Sequence, residues 1–299
     1  MAKGKDTSAT KALDFESHIE LKQIAPDVFT NVHQPWLFHI TYTVPGPLMM
    51  AEAAAAAYKT VPEGFRLHSL QTHFMLPPNG SKPLVYKVQR PSQGRRFAVR
   101  IVTIEQDDKP FVTITTSFVS GAHWTGRAMT HAVRMKIERR VREITLDDFE
   151  AARGPLGPFM KFERLPLVHE DPQDPSTTVA PVVAKIDPAI KSPAGTAAHI
   201  LAIIYLSDYH VMDCPLSIHG VNIGMFPIGD HSKTLTPVGM KIMTSLNHTV
   251  SFHTHEGFRA DELMYIEVTS PWAKDGRAMI HSRIFSNQGL LVATCTQEV

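Results

Sequence analysis

Gly94-Arg95-Arg96-Phe97-Ala98-Val99-Arg100 has a counterpart in Gly276-Arg277-Ala278-Met279-Ile280-His281-Ser282-Arg283. Both are bracketed in the same way. Leu84-Val85-Tyr86-Lys87-Val88 precedes the first, and Pro110-Phe111-Val112-Thr113-Ile114-Thr115-Thr116-Ser117 follows it. Leu263-Met264-Tyr265-Ile266-Glu267-Val268 precedes the second, and Leu290-Leu291-Val292-Ala293-Thr294-Cys295-Thr296-Gln297 follows it. The two glycines are 182 residues apart and Ser117 and Gln297 are 180 apart, so the order is kept with a drift of two. The segments are rich in Val, Ile, Thr, Phe and Tyr, alternate with charged or small residues, and are separated by Gly, Pro, Asp and Asn. That is the pattern of antiparallel strands joined by hairpins, and its repetition predicts a duplicated unit ending in a three-strand meander.

An apolar helix is predicted upstream of each meander, over 48–59 and 196–211. Neither is amphipathic. Leu48-Met49-Met50-Ala51-Glu52 and the five alanines after it are apolar nearly all round, so such a helix must be enclosed, and a sheet wrapped around it would enclose it. Between the halves, 134–153 carries alternating charge and runs into Gly154-Pro155-Leu156-Gly157-Pro158, which predicts an exposed connecting helix with a firm stop. Residues 170–175 read as a surface loop.

The 299 residues suffice for two domains or one large one, with 43% hydrophobic and 20% charged residues as in ordinary globular chains. Thirty basic against 29 acidic residues leave a net charge of +1. No field of that size draws the chain onto nucleic acid or an anionic membrane, and Arg134, Lys136, Arg139, Arg140 and Arg142 are interleaved with Glu138 and Glu143, as on a solvated face. Cys214 and Cys295 are too few for a disulfide framework, and a reducing compartment is expected. The first fourteen residues have no apolar core of a signal peptide, and no apolar run approaches the ~18–20 residues of a membrane span, so a soluble, cytoplasmic chain is expected. The ending Gln297-Glu298-Val299 is not a Ser-Lys-Leu type peroxisomal address, although another peroxisomal signal stays open.

Asp208, in Tyr205-Leu206-Ser207-Asp208-Tyr209-His210, falls near the carboxyl end of the second helix. The dipole there repels an anion and the apolar surroundings desolvate it, so an ionised Asp208 needs nearby donors; solvent or His210 would supply them in a structural role. Ser245 lies in Met243-Thr244-Ser245-Leu246-Asn247-His248, aligned with Ser69 in His68-Ser69-Leu70-Gln71; no nucleophile elbow surrounds it, so hydrogen bonding or strand packing is expected. Gln297 aligns with Ser117 and could orient a water or satisfy backbone groups. Glu52 is the one acid of the alanine-rich helix, either functional or reaching water from a helix end. His248, His253 and His255 lack a metal-ligand spacing, so no metal is expected, and the absence of a Gly-rich phosphate loop leaves no cofactor to expect.

The stretch 67–78, with Leu67-His68-Ser69-Leu70-Gln71-Thr72-His73-Phe74, together with Val85-Tyr86-Lys87-Val88, the segment from Gly94 to Arg100, Ser245-Leu246-Asn247-His248, Phe252-His253 and the ending from Gly289 to Glu298, resembles the type II acyl-CoA thioesterases. The resemblance spans about 44–298 and is weakest over 121–194. It implies an α+β double hotdog, two antiparallel sheets each wrapped around a central helix. The expected division is a mobile tail over 1–20, a first hotdog over 21–125, a linker with an exposed helix over 126–158, and a second hotdog with the active site over 159–299. The family's Asp, Ser or Thr, and Gln, which jointly orient a hydrolytic water, fall residue by residue on Asp208, Ser245 and Gln297. Glu52, His68, Ser69 and His248 are the implied substrate-binding residues. Gly46-Pro47 and Glu52 stand where the family has a glycine pair and a Gln, so the first half is either silent or differently shaped, and Pro215, Gly220, Gly224, Pro227 and Gly229 suggest an enlarged loop before Ser245.

The implied activity is hydrolysis of an acyl thioester of coenzyme A or an acyl-carrier pantetheine, in a specialised biosynthetic pathway, by a chain that self-associates. Two alternatives share these residues: a hotdog dehydratase, isomerase or cyclase acting on an acyl or polyketide-like substrate, and a non-catalytic acyl-binding protein.

Overall fold

The computed structural model describes residues 14–37, 43–121, 127–136, 159–209, 211–223, 235–236, 239 and 243–299. It is a mixed α/β protein. A short helix α1 (Phe15–His18) leads into strands β1 (Leu21–Ala25) and β2 (Val28–Asn31), then α2 (Gly46–Tyr58) and the strands β3 (Phe65–Phe74), β4 (Val85–Gln93), β5 (Phe97–Gln106) and β6 (Lys109–Ser120). The second half holds β7 (Met160–Arg164), β8 (Val179–Ile186), α3 (Ala197–Asp208), a one-turn α4 (Cys214–Ser217), β9 (Asn247–Phe252), β10 (Met264–Lys274), β11 (Arg277–Ser286) and β12 (Leu291–Glu298).

Both meanders form as expected, β4-β5-β6 and β10-β11-β12, and each last strand pairs back onto the strand that follows its helix, β3 or β9. The two sheets expected from the resemblance are one sheet in this structure. Among the described residues, twelve antiparallel strands run in the order β1-β2-β4-β5-β6-β3-β9-β12-β11-β10-β8-β7. The join is the β3–β9 ladder, Ser69 to His73 against Ser251 to Asn247. It forms because β6 covers only one edge of β3 and β12 only one edge of β9, so the remaining edges of β3 and β9 satisfy each other.

Both helices are enclosed, as their lack of a wet face requires. Ten residues of α2 and ten of α3 are buried. α2 packs on β3, β4, β5 and β6, α3 on β8 and β9, and the helices pack on each other, the alanines of α2 allowing close approach. The predicted ends, 48–59 and 196–211, differ from those observed by one to three residues. Gly46-Pro47 opens α2 because Pro is pre-set for the first helical turn.

Within the segment 1–20 expected as a tail, residues 14–20 are packed. Phe15 is 1% exposed, with its ring 5.3 Å from that of Tyr205 and 6.3 Å from that of Phe159, and Asp14 caps α1 through Ser17. Burial of an aromatic side chain is worth about 2 kcal/mol and holds the segment down. Residues 1–13 lie outside the described residues. So does most of the expected connecting helix; its described start, 134–136, is not helical, and Met135 packs on a small cluster of Leu165, Val183, Tyr265 and Phe285 apart from the main core. The loop at 170–175 is exposed as expected.

The strand registers revise the alignment of the halves. Gln89 pairs with Ile101 and Thr269 with His281, each ahead of a bulge, so β5 and β11 correspond at a spacing of 180. Arg100 then faces Thr116 where Ile280 faces Gln297. The counterpart of Gln297 is Thr116, not Ser117, and because Thr116 faces Leu70 while Gln297 faces His248, Leu70 matches His248. Ser245 lies three residues before His248 and Ser69 only one before Leu70, so those serines are not equivalent.

Candidate active site at the end of the second helix

Asp208 is the last residue of α3, Ser245 lies two residues ahead of β9, and Gln297 is on the inward face of β12. The fold brings the three together. Gln297 Nε2 donates to Ser245 Oγ at 2.5 Å and to Asp208 Oδ1, using both amide hydrogens. Ser245 Oγ also lies 3.3 Å from Met212 Sδ. His210, the alternative partner of Asp208, lies outside the described residues.

Asp208 is 6% exposed. Burial pushes its carboxyl from the ordinary 3.8 up to about 7, against the opposing effect of hydrogen bonds from Gln297 and Ser245. It stands at the carboxyl end of its own helix but against the amino end of α2: a β-carbon on Gly46 would be 2.9 Å from Asp208 Oδ2 and 3.1 Å from the ring of Phe74. Among the described residues no side chain caps the amino end of α2, so backbone N–H groups of its first turn remain for an anion there. Cys295, two residues before Gln297 on the same face, is no nucleophile, because burial pushes its thiol up to about 12.

The residues implied for substrate binding sit elsewhere. Glu52 is fully buried in the core, takes a hydrogen bond from Tyr86 Oη on β4, and is pushed up to about 8 by burial; it reaches neither water nor a site. His68 and Ser69 point away from the helices, because the bulge between Leu67 and Ser69 puts both on the outer face while Leu70 and Thr72 turn inward. His68 Nε2 is 2.9 Å from Ser117 Oγ and its ring lies against Phe97. His248 is inward but lies behind Gln297, 1% exposed, with Nε2 2.9 Å from Ser207 Oγ. His253 and His255 turn to Thr294 Oγ1 and the Leu67 carbonyl, and among the described residues no three His, Cys, Asp or Glu side chains converge as a metal site.

Ser207, Met212 and the close approach of Gly46 were not foreseen. A glycine ahead of Pro47 was the one available signal, since a first-turn position with no side chain leaves room for something else. Much of the enlarged loop before Ser245 lies outside the described residues; Arg164 and Asp213 form a buried ion pair at its start. A cavity of about 420 Å³ lined by Ile19, Leu21, Tyr58 and Leu201 lies near the other end of the helix pair, away from Asp208.

Residues 33–119 match the acyl-CoA thioesterase N-terminal domain and residues 142–299 the acyl-CoA thioesterase C-terminal domain. The chain belongs to the acyl-CoA thioesterase family. It is 27% identical to human acyl-coenzyme A thioesterase 8, covering 94% of this chain and 86% of that one, and 23% identical to acyl-CoA thioesterase 2 of Haemophilus influenzae, covering 94% of each. The solved structure of an acyl-CoA thioesterase II of Mycobacterium marinum superposes with a TM-score of 0.68 at 23% identity, over 95% of this chain and 94% of that one. A hot dog fold protein of Alicyclobacillus acidocaldarius gives 0.68 at 18% identity, over 95% and 96%. These likenesses show a hotdog fold for this thioesterase family member. Among its described residues no helix is long and apolar enough to cross a membrane.

Proposed function

We propose that this chain hydrolyses acyl-CoA thioesters with a water held by Asp208, Ser245 and Gln297. One observation carries the assignment: a single amide, Gln297, is hydrogen-bonded at once to a buried carboxylate and to a hydroxyl that lie 37 residues apart in the chain. Ionised Asp208 accepts a proton from the water as its oxygen attacks the thioester carbonyl carbon, while Ser245 fixes the direction of attack and Gln297 acts by holding Asp208 and Ser245 in place. Charge on the carbonyl oxygen is met by backbone N–H groups of the first turn of α2. Collapse breaks the carbon–sulfur bond, and the proton on Asp208 passes to the leaving thiolate.

The three side chains of this reading come from the second half, and the first half contributes the amino end of α2. At the matching end of α2 the Arg100 guanidinium donates to Thr60 Oγ1, Thr60 O, Ser92 O and Val99 O, each at 2.9 Å, and to Gln93 Oε1. All five N–H groups are used, so that end is plugged by a cation that suits the helix dipole. The same reading makes each half a hotdog around its own helix, with the units at 21–125 and 159–299 and a linker between, supported by the packing of α2 and α3 on different strands. It keeps an acyl-carrier thioester as a second substrate form, a biosynthetic role, a cytoplasmic setting, and self-association through the sheet edges at β1 and β7.

The test is thiol release from a panel of acyl-CoAs. Parent turnover that disappears in Asp208→Asn supports the assignment; equal rates in the two proteins remove Asp208 from the mechanism.

A further inference from the structure

His248 takes no part in the steps above, although it is buried directly behind the triad. Burial holds its ring down at about 4, so at neutral pH it carries a single N–H. Its Nε2 lies near Ser207 Oγ, and its Nδ1 has no partner. Gln297 is its register partner on β12, so the two side chains stand next to each other on the same face. The Gln297 amide hydrogens are committed to Asp208 and Ser245, and its Oε1 has no partner either. Two buried unpartnered atoms thus belong to directly paired residues, and such atoms are costly unless they meet.

They are neighbours without being hydrogen-bonded to each other in the structure, and the position of one proton decides whether a small side-chain adjustment would satisfy both. With the hydrogen on Nε2, the Ser207 hydroxyl turns to the Ile204 carbonyl 2.8 Å away, Nδ1 presents a lone pair, and Gln297 Oε1 stays bare. With the hydrogen on Nδ1, Ser207 donates to Nε2, the Ile204 carbonyl keeps the backbone bond that its helix provides, and Nδ1 offers a donor to the adjacent Gln297 residue, whose Oε1 needs one. We propose that His248, as its Nδ1–H tautomer, donates to Gln297 Oε1 and so fixes the amide with its NH₂ group toward Asp208 and Ser245. It is a positioning residue, one step removed from the reacting atoms. Contact with Gln297 also raises the proton affinity of the ring against the effect of burial. Without this donor the amide is free to turn over and set its oxygen against the Asp208 carboxylate. The competing tautomer would take a hydrogen bond from Thr72, the register partner of His248 on β3, whose Oγ1 is also unpartnered.

The inference rests on the hydrolase reading for its catalytic consequence and on structure alone for the tautomer. Nitrogen-15 NMR of the histidine-labelled full chain reads the tautomer directly: a protonated Nδ1 at His248 supports the proposal, and a protonated Nε2 overturns it whatever the activity. In kinetics, His248→Asn places an amide nitrogen near Nδ1 and His248→Gln places one near Nε2. Expected is a loss of kcat of about 10–100-fold in His248→Gln with KM within about 2-fold, and a loss below about 5-fold in His248→Asn. Equal losses in the two variants overturn the proposal, and if neither folds the NMR result on the parent decides. Failure of the hydrolase reading shows separately, as Asp208→Asn retaining full turnover while the His248 tautomer is unchanged.

Discussion

Replacing Asp208 by Asn removes a charge that the folded chain holds at a cost. The carboxyl is displaced from 3.8 to about 7 because burial disfavours the anion more than Gln297 and Ser245 favour it. A tenfold change in proton affinity corresponds to about 1.4 kcal/mol, so the ionised group destabilises the folded state by about 4 kcal/mol at high pH. The folded pKa is the higher one, hence the folded chain binds more protons between pH 3.8 and about 7. Stability from this group is therefore complete below that window, falls through it, and is fully lost above it. Asn is nearly isosteric, neutral, and still accepts from Gln297. In urea unfolding, Asp208→Asn is expected to gain about 4 kcal/mol at pH ~8.5 and about 2 kcal/mol at pH ~5.5, while thiol release falls by about a thousandfold. Equal stability of variant and parent at pH ~8.5, or a gain that does not change with pH, refutes the reasoning.

The rate of thiol release should itself rise as pH increases through about 7, where Asp208 ionises, and a flat profile across that range would show that its ionisation does not limit the reaction. Gln297→Leu removes donors that lower the Asp208 pKa, so its acid limb should move to higher pH and kcat should fall about a hundredfold; a profile superposable on the parent's contradicts the hydrogen-bonded triad. Gly46→Ala sets a methyl 2.9 Å from Asp208 Oδ2, and about a tenfold loss of kcat with little change in Tm is expected; full activity would mean that the carboxylate does not need that position. Arg100→Leu strands five acceptors around the end of α2 and should cost about 3–5 kcal/mol in unfolding experiments, and a neutral result would show that water replaces the guanidinium.

Much of the fold could be read along the chain. The alternation in Phe97 to Gln106 and the aromatic and β-branched residues of Met264 to Val268 mark strands, and the absence of a polar face in α2 and α3 marks helices that have to be enclosed. The site was legible only in pieces. Asp208 signalled itself as a carboxylate at an unfavourable helix end, whereas Ser245 and Gln297 were ordinary polar residues singled out by resemblance to a family. A lone acid in an apolar helix suggests function or a reach to water, and what the structure adds at Glu52 is that Tyr86 satisfies one of its oxygens within the core. His68 and Ser69 lie on the outer face because one extra residue at a bulge turns that strand segment over, which side-chain order alone does not reveal.

Periodicity is written in successive side chains, each strand or helix needing one face buried, so the duplicated helix-and-meander plan follows from local order. Register between distant strands is not written there. It was the pairing of β3 with β9 that joined two sheets into one, and the pairing of β12 with β9 that set Gln297 beside His248 and within reach of Asp208. Which polar atoms meet depends on how separated segments pack, and a displacement of one residue would have turned the same amide to solvent.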